Sequence, residues 1–253
     1  MELFQLGTLF IAAVAAGAIN AVAGGGSFIS FPALLLIGVP PITANATNTT
    51  ALWPGSLASV GAYRRELAVQ RKGIVLFSAI SMLGGLLGAL LLLRTGESTF
   101  EALIPYLLLL ATAVFAFSPQ ITKLTRRAGG KGGEQPARRV AVLAVYFAVA
   151  VYGGFFGAGL GILTLAVLGL LGLENIHEMN ALKTLQASLV NGVAVIAFVL
   201  AGAVDWPLAL LMTVGAIAGG YGGAAIARQV SPQLVRWIVI GISVSLTVYF
   251  FVA

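Results

Sequence analysis

The stretch Ala21-Val-Ala-Gly-Gly-Gly-Ser-Phe-Ile-Ser-Phe-Pro32 decides how the beginning of this chain folds, because it interrupts an apolar run from about residue 4 to 37. As one unbroken helix rising 1.5 Å per residue, that run would be about 50 Å long. This is too long for one crossing of ~30 Å of hydrocarbon and too short for two. Three consecutive glycines and a serine instead predict a first arm from about residue 4 to 22 and a shorter second arm from about 28 to 39. A related break, Gly157-Ala-Gly-Leu-Gly161, interrupts a second long apolar run.

The rest of the composition places these runs in a bilayer. Hydrophobic residues make up 59% of the chain and charged residues 9%, with a mean hydropathy of +1.03, whereas soluble domains carry about 25% charged residues. Further apolar stretches cover roughly 44–63, 73–93, 100–118, 140–173, 184–204, 207–227 and 233–252. Most approach the ~20 residues that a spanning helix requires, and none shows the alternation of a membrane barrel strand. The fold class is therefore an all-α integral membrane protein. The longest polar stretch, Thr122 to Arg139, is rich in Gly, Lys and Arg and reads as a flexible linker. Residues 1–120 then form a first transmembrane repeat, 121–139 a cytoplasmic basic linker, and 140–253 a second repeat.

A net charge of +6 raises the question of nucleic acid, but ten of the fourteen basic residues lie in two loops. These are Arg64, Arg65, Arg71 and Lys72, then Lys123, Arg126, Arg127, Lys131, Arg138 and Arg139. Basic loops beside spans mark the cytoplasmic side, so no nucleic-acid partner is expected. Ala21-Val-Ala23 resembles a signal cleavage site, yet no Lys or Arg precedes Arg64, so the charged region of a signal peptide is missing. The absence of cysteine excludes disulfide and thiolate chemistry.

Displacing the sequence by 135 residues aligns Ala23-Gly24 with Ala158-Gly159, Gly26 with Gly161, Asn45-Ala46 with Asn180-Ala181, and Thr49 with Thr184. Gly84-Gly85 and Gly88-Ala89 fall on Gly219-Gly220 and Gly223-Ala224 in the same register, which predicts an internal duplication. Charge at equivalent loops changes sign. Arg64 to Lys72 is basic where Val199 to Pro207 carries only Asp205; Arg94, Glu97 and Glu101 lie opposite a segment bearing Arg228 and Arg236 and no acid. Reversed bias predicts inverted repeats, each with a glycine-broken first helix followed by three membrane helices. Parallel repeats with four crossings each are the alternative.

Interrupted membrane helices in corresponding positions point to a transport site, where backbone amides and a helix N-terminus favour an anion. The candidate contacts are Gly24, Gly25, Gly26 and Ser27 at the first break, and Gly157, Gly159 and Gly161 at the second. Close helix packing is the competing reading for Gly153, Gly157 and Gly161, and the preferred one for Gly84, Gly88, Gly219 and Gly223. Asn45 and Asn180 are candidates to face substrate or to cap the helices that begin near them. Asn48, Thr49 and Thr184 add further polar groups. Lys183 stands out because the run from Thr184 to Leu200 is otherwise uncharged. An intramembrane ionisable group reads as functional, although snorkelling or a salt bridge to Glu174 or Glu178 is open to it. Gln186 and Asn191 continue the same helix, as path-lining groups or as links to a neighbouring helix. His177 reads as a bystander and Trp206 as an interfacial anchor. No metal-ligand cluster, nucleophile triad or phosphate-binding loop is present, so neither an enzyme nor an ATP-driven pump is expected.

Ala23-Gly-Gly-Gly-Ser-Phe-Ile-Ser-Phe-Pro32 with Thr43-Ala-Asn-Ala-Thr-Asn48, and Gly154-Phe-Phe-Gly-Ala-Gly-Leu-Gly161 with Asn180-Ala-Leu-Lys-Thr184, resemble the sulfite exporter TauE/SafE family of membrane permeases. The likeness covers nearly the whole chain. It implies a multi-pass protein of the bacterial inner membrane that moves small anions such as sulfite, sulfoacetate or other organosulfonates without a cofactor. Where the second repeat has Lys183 the first has Asn48, so the implied anion site is asymmetric. The expectation is a secondary transporter, an exporter in direction, holding its substrate between the two breaks; an anion channel or an uptake permease is the alternative. Its other partners are the lipid bilayer and, as an open possibility, further copies of itself.

Overall fold

The computed structural model describes residues 3–22, 25–64, 67, 71–129, 136–173, 175–226 and 232–252. Among these residues the chain is helical throughout, with no strand. In order the helices are α1 (Leu3–Val22), α2 (Ser27–Leu36), α3 (Pro41–Ala62), α4 (Arg71–Arg94), α5 (Glu97–Ala116) and α6 (Ser118–Gly129). They continue as α7 (Pro136–Phe155), α8 (Leu160–Leu170), α9 (Ile176–Leu200), α10 (Trp206–Ile226) and α11 (Pro232–Val252).

Five of them, α1, α4, α5, α7 and α9, contain stretches long and apolar enough to cross a bilayer; α2, α8 and parts of α10 and α11 are shorter apolar helices. The α3 helix has spanning length but is diluted by Thr43, Asn45, Thr47, Asn48, Thr49 and Thr50. Both long apolar runs break as the glycines predict, and the two short helices α2 and α8 end alike. The Gly38 and Gly172 N–H groups donate to Leu35 and Gly169, and those of Val39 and Leu173 to Leu34 and Leu168. Both glycines adopt positive φ, 86° and 82°, so these are left-handed C-terminal caps.

The linker differs from its expectation. Its glycines cluster after Ala128, leaving Gln120 to Ala128 free of helix breakers, and Ser118–Gly129 forms a helix rather than a flexible connection. Helix starts rely on side chains from outside the first turn. The Ile42 N–H at the head of α3 donates to Glu97 Oε2 at 3.0 Å, and Asn175 Oδ1 accepts the His177 N–H at 3.0 Å at the head of α9. Asp205 Oδ1 accepts the Leu208 N–H at 3.1 Å at the start of α10.

The chain divides into two compact units, each drawing on both halves of the sequence. The first comprises Met1–Gly55, Leu92–Ala113 and Phe198–Ala253; the second comprises Ser56–Leu91 and Val114–Ala197. In the first unit α1 packs on α10 through contacts too close for any side chain. A Cβ at Gly219 would lie 1.9 Å from the Val14 carbonyl oxygen, and one at Gly17 would lie 2.1 Å from that of Ala216. In the second unit α4 meets α7 in the same manner: a Cβ at Gly88 would lie 2.0 Å from the Val151 oxygen, and one at Gly154 would lie 2.0 Å from that of Gly85. Gly84, Gly88 and Gly219 therefore serve helix packing, as small residues do where backbones touch in lipid. The side-chain surroundings of Gly223 lie outside the described residues.

Side-chain distribution reverses that of a soluble helix bundle. Along α4, Val75, Leu83, Leu87 and Leu91 are exposed while Ser81 is completely buried; on α10, Leu210, Val214, Ile217 and Tyr221 are exposed. Water would not tolerate such broad apolar faces on a monomer, but lipid chains solvate them readily.

Candidate functional site

At the first break α1 ends at Val22, and Gly25 adopts a φ of 135° that side chains disfavour. Asn20 Oδ1 accepts the Gly25 N–H at 3.3 Å, so this predicted free amide is taken. Gly26, with ordinary helical φ and ψ, is the N-cap of α2 and makes no side-chain cap bond. Its own reason for being glycine is proximity: a Cβ there would lie 2.4 Å from the Ala16 carbonyl oxygen. The N–H groups of Gly26 and Ser27 donate to no described residue. Gly24 lies outside the described residues.

The following helix supplies the polar wall of this break. Ser30 Oγ sits 2.6 Å from Asn48 Oδ1 and 3.1 Å from the Gly26 carbonyl oxygen, so a single hydroxyl proton links Asn48 of α3 to the start of α2. Ser30 and Asn48 are both buried, as is Asn45, one turn earlier on α3. Thr49 is half-buried beside them. Asn45 does not cap α3, because that helix begins four residues earlier at Pro41 and Glu97 takes the first amide. Thr47 Oγ1 accepts the Asp205 N–H at 3.0 Å, and the Thr213 hydroxyl reaches the Ala51 oxygen at 3.3 Å, which binds α3 to α10.

The second break, in the other unit, is built differently. Gly157 and Gly159 both take positive φ, 82° and 77°, turning the chain between α7 and α8. The Gly157 N–H donates to the Tyr152 carbonyl oxygen at 3.3 Å, so it too is taken. The Tyr152 hydroxyl in turn donates to the Ala158 carbonyl oxygen at 2.8 Å and clasps the turn. The N–H groups of Ala158, Gly159 and Gly161 have no hydrogen-bond partner among the described residues. Three amides are thus left at the positive end of α8.

Lys183 of α9 reaches this place. A Cβ at Gly161 would lie 3.4 Å from Lys183 Cδ, 3.7 Å from Cγ and 3.9 Å from Cε, so the lysine stem runs over the open face of Gly161. Lys183 is half-buried and forms no ion pair with a described residue. Glu178 Oε1 instead accepts from Asn175 Nδ2 at 3.1 Å, and Glu174 lies outside the described residues. Asn191 is drawn to the same break, its Oδ1 3.9 Å from where a Gly157 Cβ would stand. Asn180 and Thr184 are half-buried on α9. Asn180 does not cap α9, since Asn175 does.

Gln186, one turn beyond Lys183, is 1% exposed and links neighbouring helices. Its Oε1 accepts from Ser81 Oγ of α4 at 2.7 Å, and the same Ser81 hydroxyl is bonded to the Tyr146 hydroxyl of α7. Gln186 Nε2 is buried without a partner. Sequence reading did not single out Ser30, Ser81, Tyr146 or Tyr152. Ser30 carries one local signal, a hydroxyl inside Phe-Ile-Ser-Phe one turn after Gly26; Ser81 and Tyr146 become related only through folding.

Among the described residues no group of three His, Asp or Glu side chains is placed to hold a metal. What the two units provide is hydrogen-bond donors at two broken helices, one with a cation. Several lipid-length apolar helices around broken, polar-lined segments define a multi-pass membrane protein of the transporter class.

Comparison with known proteins gives the family. The profile of the sulfite exporter TauE/SafE family matches residues 9–250, and the chain belongs to that family of membrane transporters. It is 31% identical over 247 residues to a protein of Haemophilus influenzae named "Probable membrane transporter protein", covering 96% of this chain and 92% of that one. It is 29% identical over 239 residues to "Probable membrane transporter protein YfcA" of Escherichia coli K12, covering 94% and 86%. No solved structure matches the chain.

Proposed function

We propose that this protein is a secondary transporter that carries small oxyanions, sulfite and organosulfonates among them, across the bacterial inner membrane, outward in direction. The observation that carries the reading is Lys183 lying over Gly161 at the N-terminus of α8, beside the unpartnered amides of Ala158, Gly159 and Gly161. A helix N-terminus favours an anion by about 0.3–1 kcal/mol at an exposed site, and more when partly buried. A lysine beside it adds a charge-assisted donor that pairs with no acid among the described residues. In the other unit the first break offers the Gly26 and Ser27 amides and the Asn48 side chain, with no cation among the described residues near it. Asn45 and Thr49 stand on α3, the helix after α2, and Asn180 and Thr184 stand on α9 beside Lys183.

The helix pairing supports duplication. Displaced by 135 residues, α1 corresponds to α7 and α4 to α10. The pairing of α1 with α10 in one unit thus has its equivalent in the pairing of α7 with α4 in the other, with Gly219 and Gly84 both at close contacts. Each unit combines the broken helix of one repeat with a later helix of the other. Together with the reversed loop charges, this favours inverted repeats.

Outward movement needs no nucleotide. An interior-negative potential of about 100 mV favours exit of one negative charge by ~2.3 kcal/mol. Counterflow distinguishes a carrier from a channel. In proteoliposomes loaded with unlabelled sulfite, external labelled sulfite should accumulate transiently above equilibrium and saturate with concentration. Non-saturating conductance without counterflow would sink the carrier reading and favour a channel.

A further inference from the structure

Helix α6 has no part in the anion site, yet its surface is specialised. It begins two residues after α5, a candidate span ending at Ala116, and the chain next enters the candidate span Arg138–Phe155. Both ends of this segment are therefore tied to the edge of a bilayer. On α6 and the residue before it, Phe117, Gln120, Lys123, Leu124 and Arg127 are exposed, with Leu124 at 69% and Phe117 at 59%. Their spacing of three, four and seven residues sets them along one stripe. A stripe mixing large apolar side chains with bases is the composition of a helix lying in the headgroup layer. There is no acidic residue from Ser118 to Gly129 to neutralise it, and Arg126 adds a further base to the helix.

The opposite side of α6 packs on α8. Arg138 fastens the two: its Nη2 donates to the Ala128 carbonyl oxygen near the end of α6 and to that of Leu170, the last residue of α8, at 2.9 Å each. We infer that the exposed stripe of α6 docks anionic phospholipid headgroups, and that through Arg138 the docked lipid holds α8 in place. The occupant follows from charge complementarity, a basic stripe at the membrane edge meeting an anionic leaflet. The docking stands alone; the effect on transport rests on α8 being the anion-binding half-helix.

The chain has no cysteine, so Gln120→Cys provides a single labelling site. The full-length variant carrying a fluorescent label there is placed in vesicles of phosphatidylcholine containing an equal mole fraction of either brominated phosphatidylglycerol or brominated phosphatidylcholine. Docking should give about two- to fivefold stronger quenching by the brominated anionic lipid, since a base near an anionic surface is worth about fivefold in binding. Adding Lys123→Gln and Arg127→Gln, both at exposed positions, should bring the ratio to about one, as should high salt. Equal quenching by both lipids in the unaltered stripe would overturn the docking and point to another occupant or none. This readout is independent of transport, so its failure leaves the carrier reading intact. If docking holds, labelled-sulfite exchange should be faster with phosphatidylglycerol than without it; equal exchange would overturn the link to α8.

Discussion

Gly26 and Gly161 stand 135 residues apart at the two helix breaks, yet alanine should affect them in opposite directions. At Gly26 the backbone already has helical angles, φ −54° and ψ −34°, so alanine meets no conformational objection. The obstacle is the Ala16 carbonyl group, whose oxygen would stand 2.4 Å and carbon 3.0 Å from the new Cβ. Neither atom belongs to a flexible side chain, so α1 and α2 must separate. Overpacking of this kind costs about 1–3 kcal/mol. For a chain of this size each kcal/mol corresponds to roughly 2–4 °C in midpoint temperature. At Gly161 the nearest atom is Lys183 Cδ at 3.4 Å, ordinary contact with a movable stem. Replacing a helical glycine by alanine there also gains up to about 1 kcal/mol of helix propensity. Thermal unfolding of detergent-purified protein, followed by loss of the monodisperse peak, should show Gly26→Ala several degrees below the parent and Gly161→Ala level with it or above. Equal losses at both positions, or none at Gly26, would refute the reasoning from close approach.

Three further outcomes are expected. Tyr152→Phe removes the hydroxyl that holds the Ala158 carbonyl group, costing about 1 kcal/mol and loosening the second break; hydrogen exchange at Gly157, Leu160 and Ile162, whose amides are bonded within this turn, should quicken. Ser30→Ala leaves the buried Asn48 Oδ1 without its donor and should cost about 1–3 kcal/mol, read as thermal stability, whereas Ser30→Ala with Asn48→Leu should recover part of that loss. Glu97→Ala exposes the Ile42 amide at the head of α3 and should lower stability by about 1 kcal/mol; an unchanged midpoint would show that water replaces the carboxylate without cost.

The sequence makes the all-helical membrane fold legible because apolar length and glycine punctuation act locally. Both breaks fall where the glycines stand. What local pattern cannot supply is which partner approaches. Gly25 and Gly157 read as free-amide donors, but Asn20 and the Tyr152 carbonyl group take those amides, while those of Gly26, Ser27, Gly159 and Gly161 meet no acceptor among the described residues. Asn45 and Asn180 read as substrate contacts or as caps, the second because the apolar runs begin beside them. The starts lie earlier, and the α3 head is satisfied by Glu97 from another helix. The Ser81, Tyr146 and Gln186 cluster joins three helices and leaves no trace in spacing. Helix α6 is hidden by composition: averaging over Thr122 to Arg139 blends a breaker-free helical segment with the glycine-rich residues that follow it.

The central claim is that Lys183 supplies the cationic contact for a small oxyanion at the head of α8. Equilibrium binding of sulfite and of a short-chain sulfonate to purified parent and Lys183→Ala proteins tests it most directly. Loss of a hydrogen bond to a charged group is worth about 1.5–3 kcal/mol, so affinity should fall at least tenfold while thermal stability is kept. Saturable binding that is unchanged in Lys183→Ala would contradict the claim.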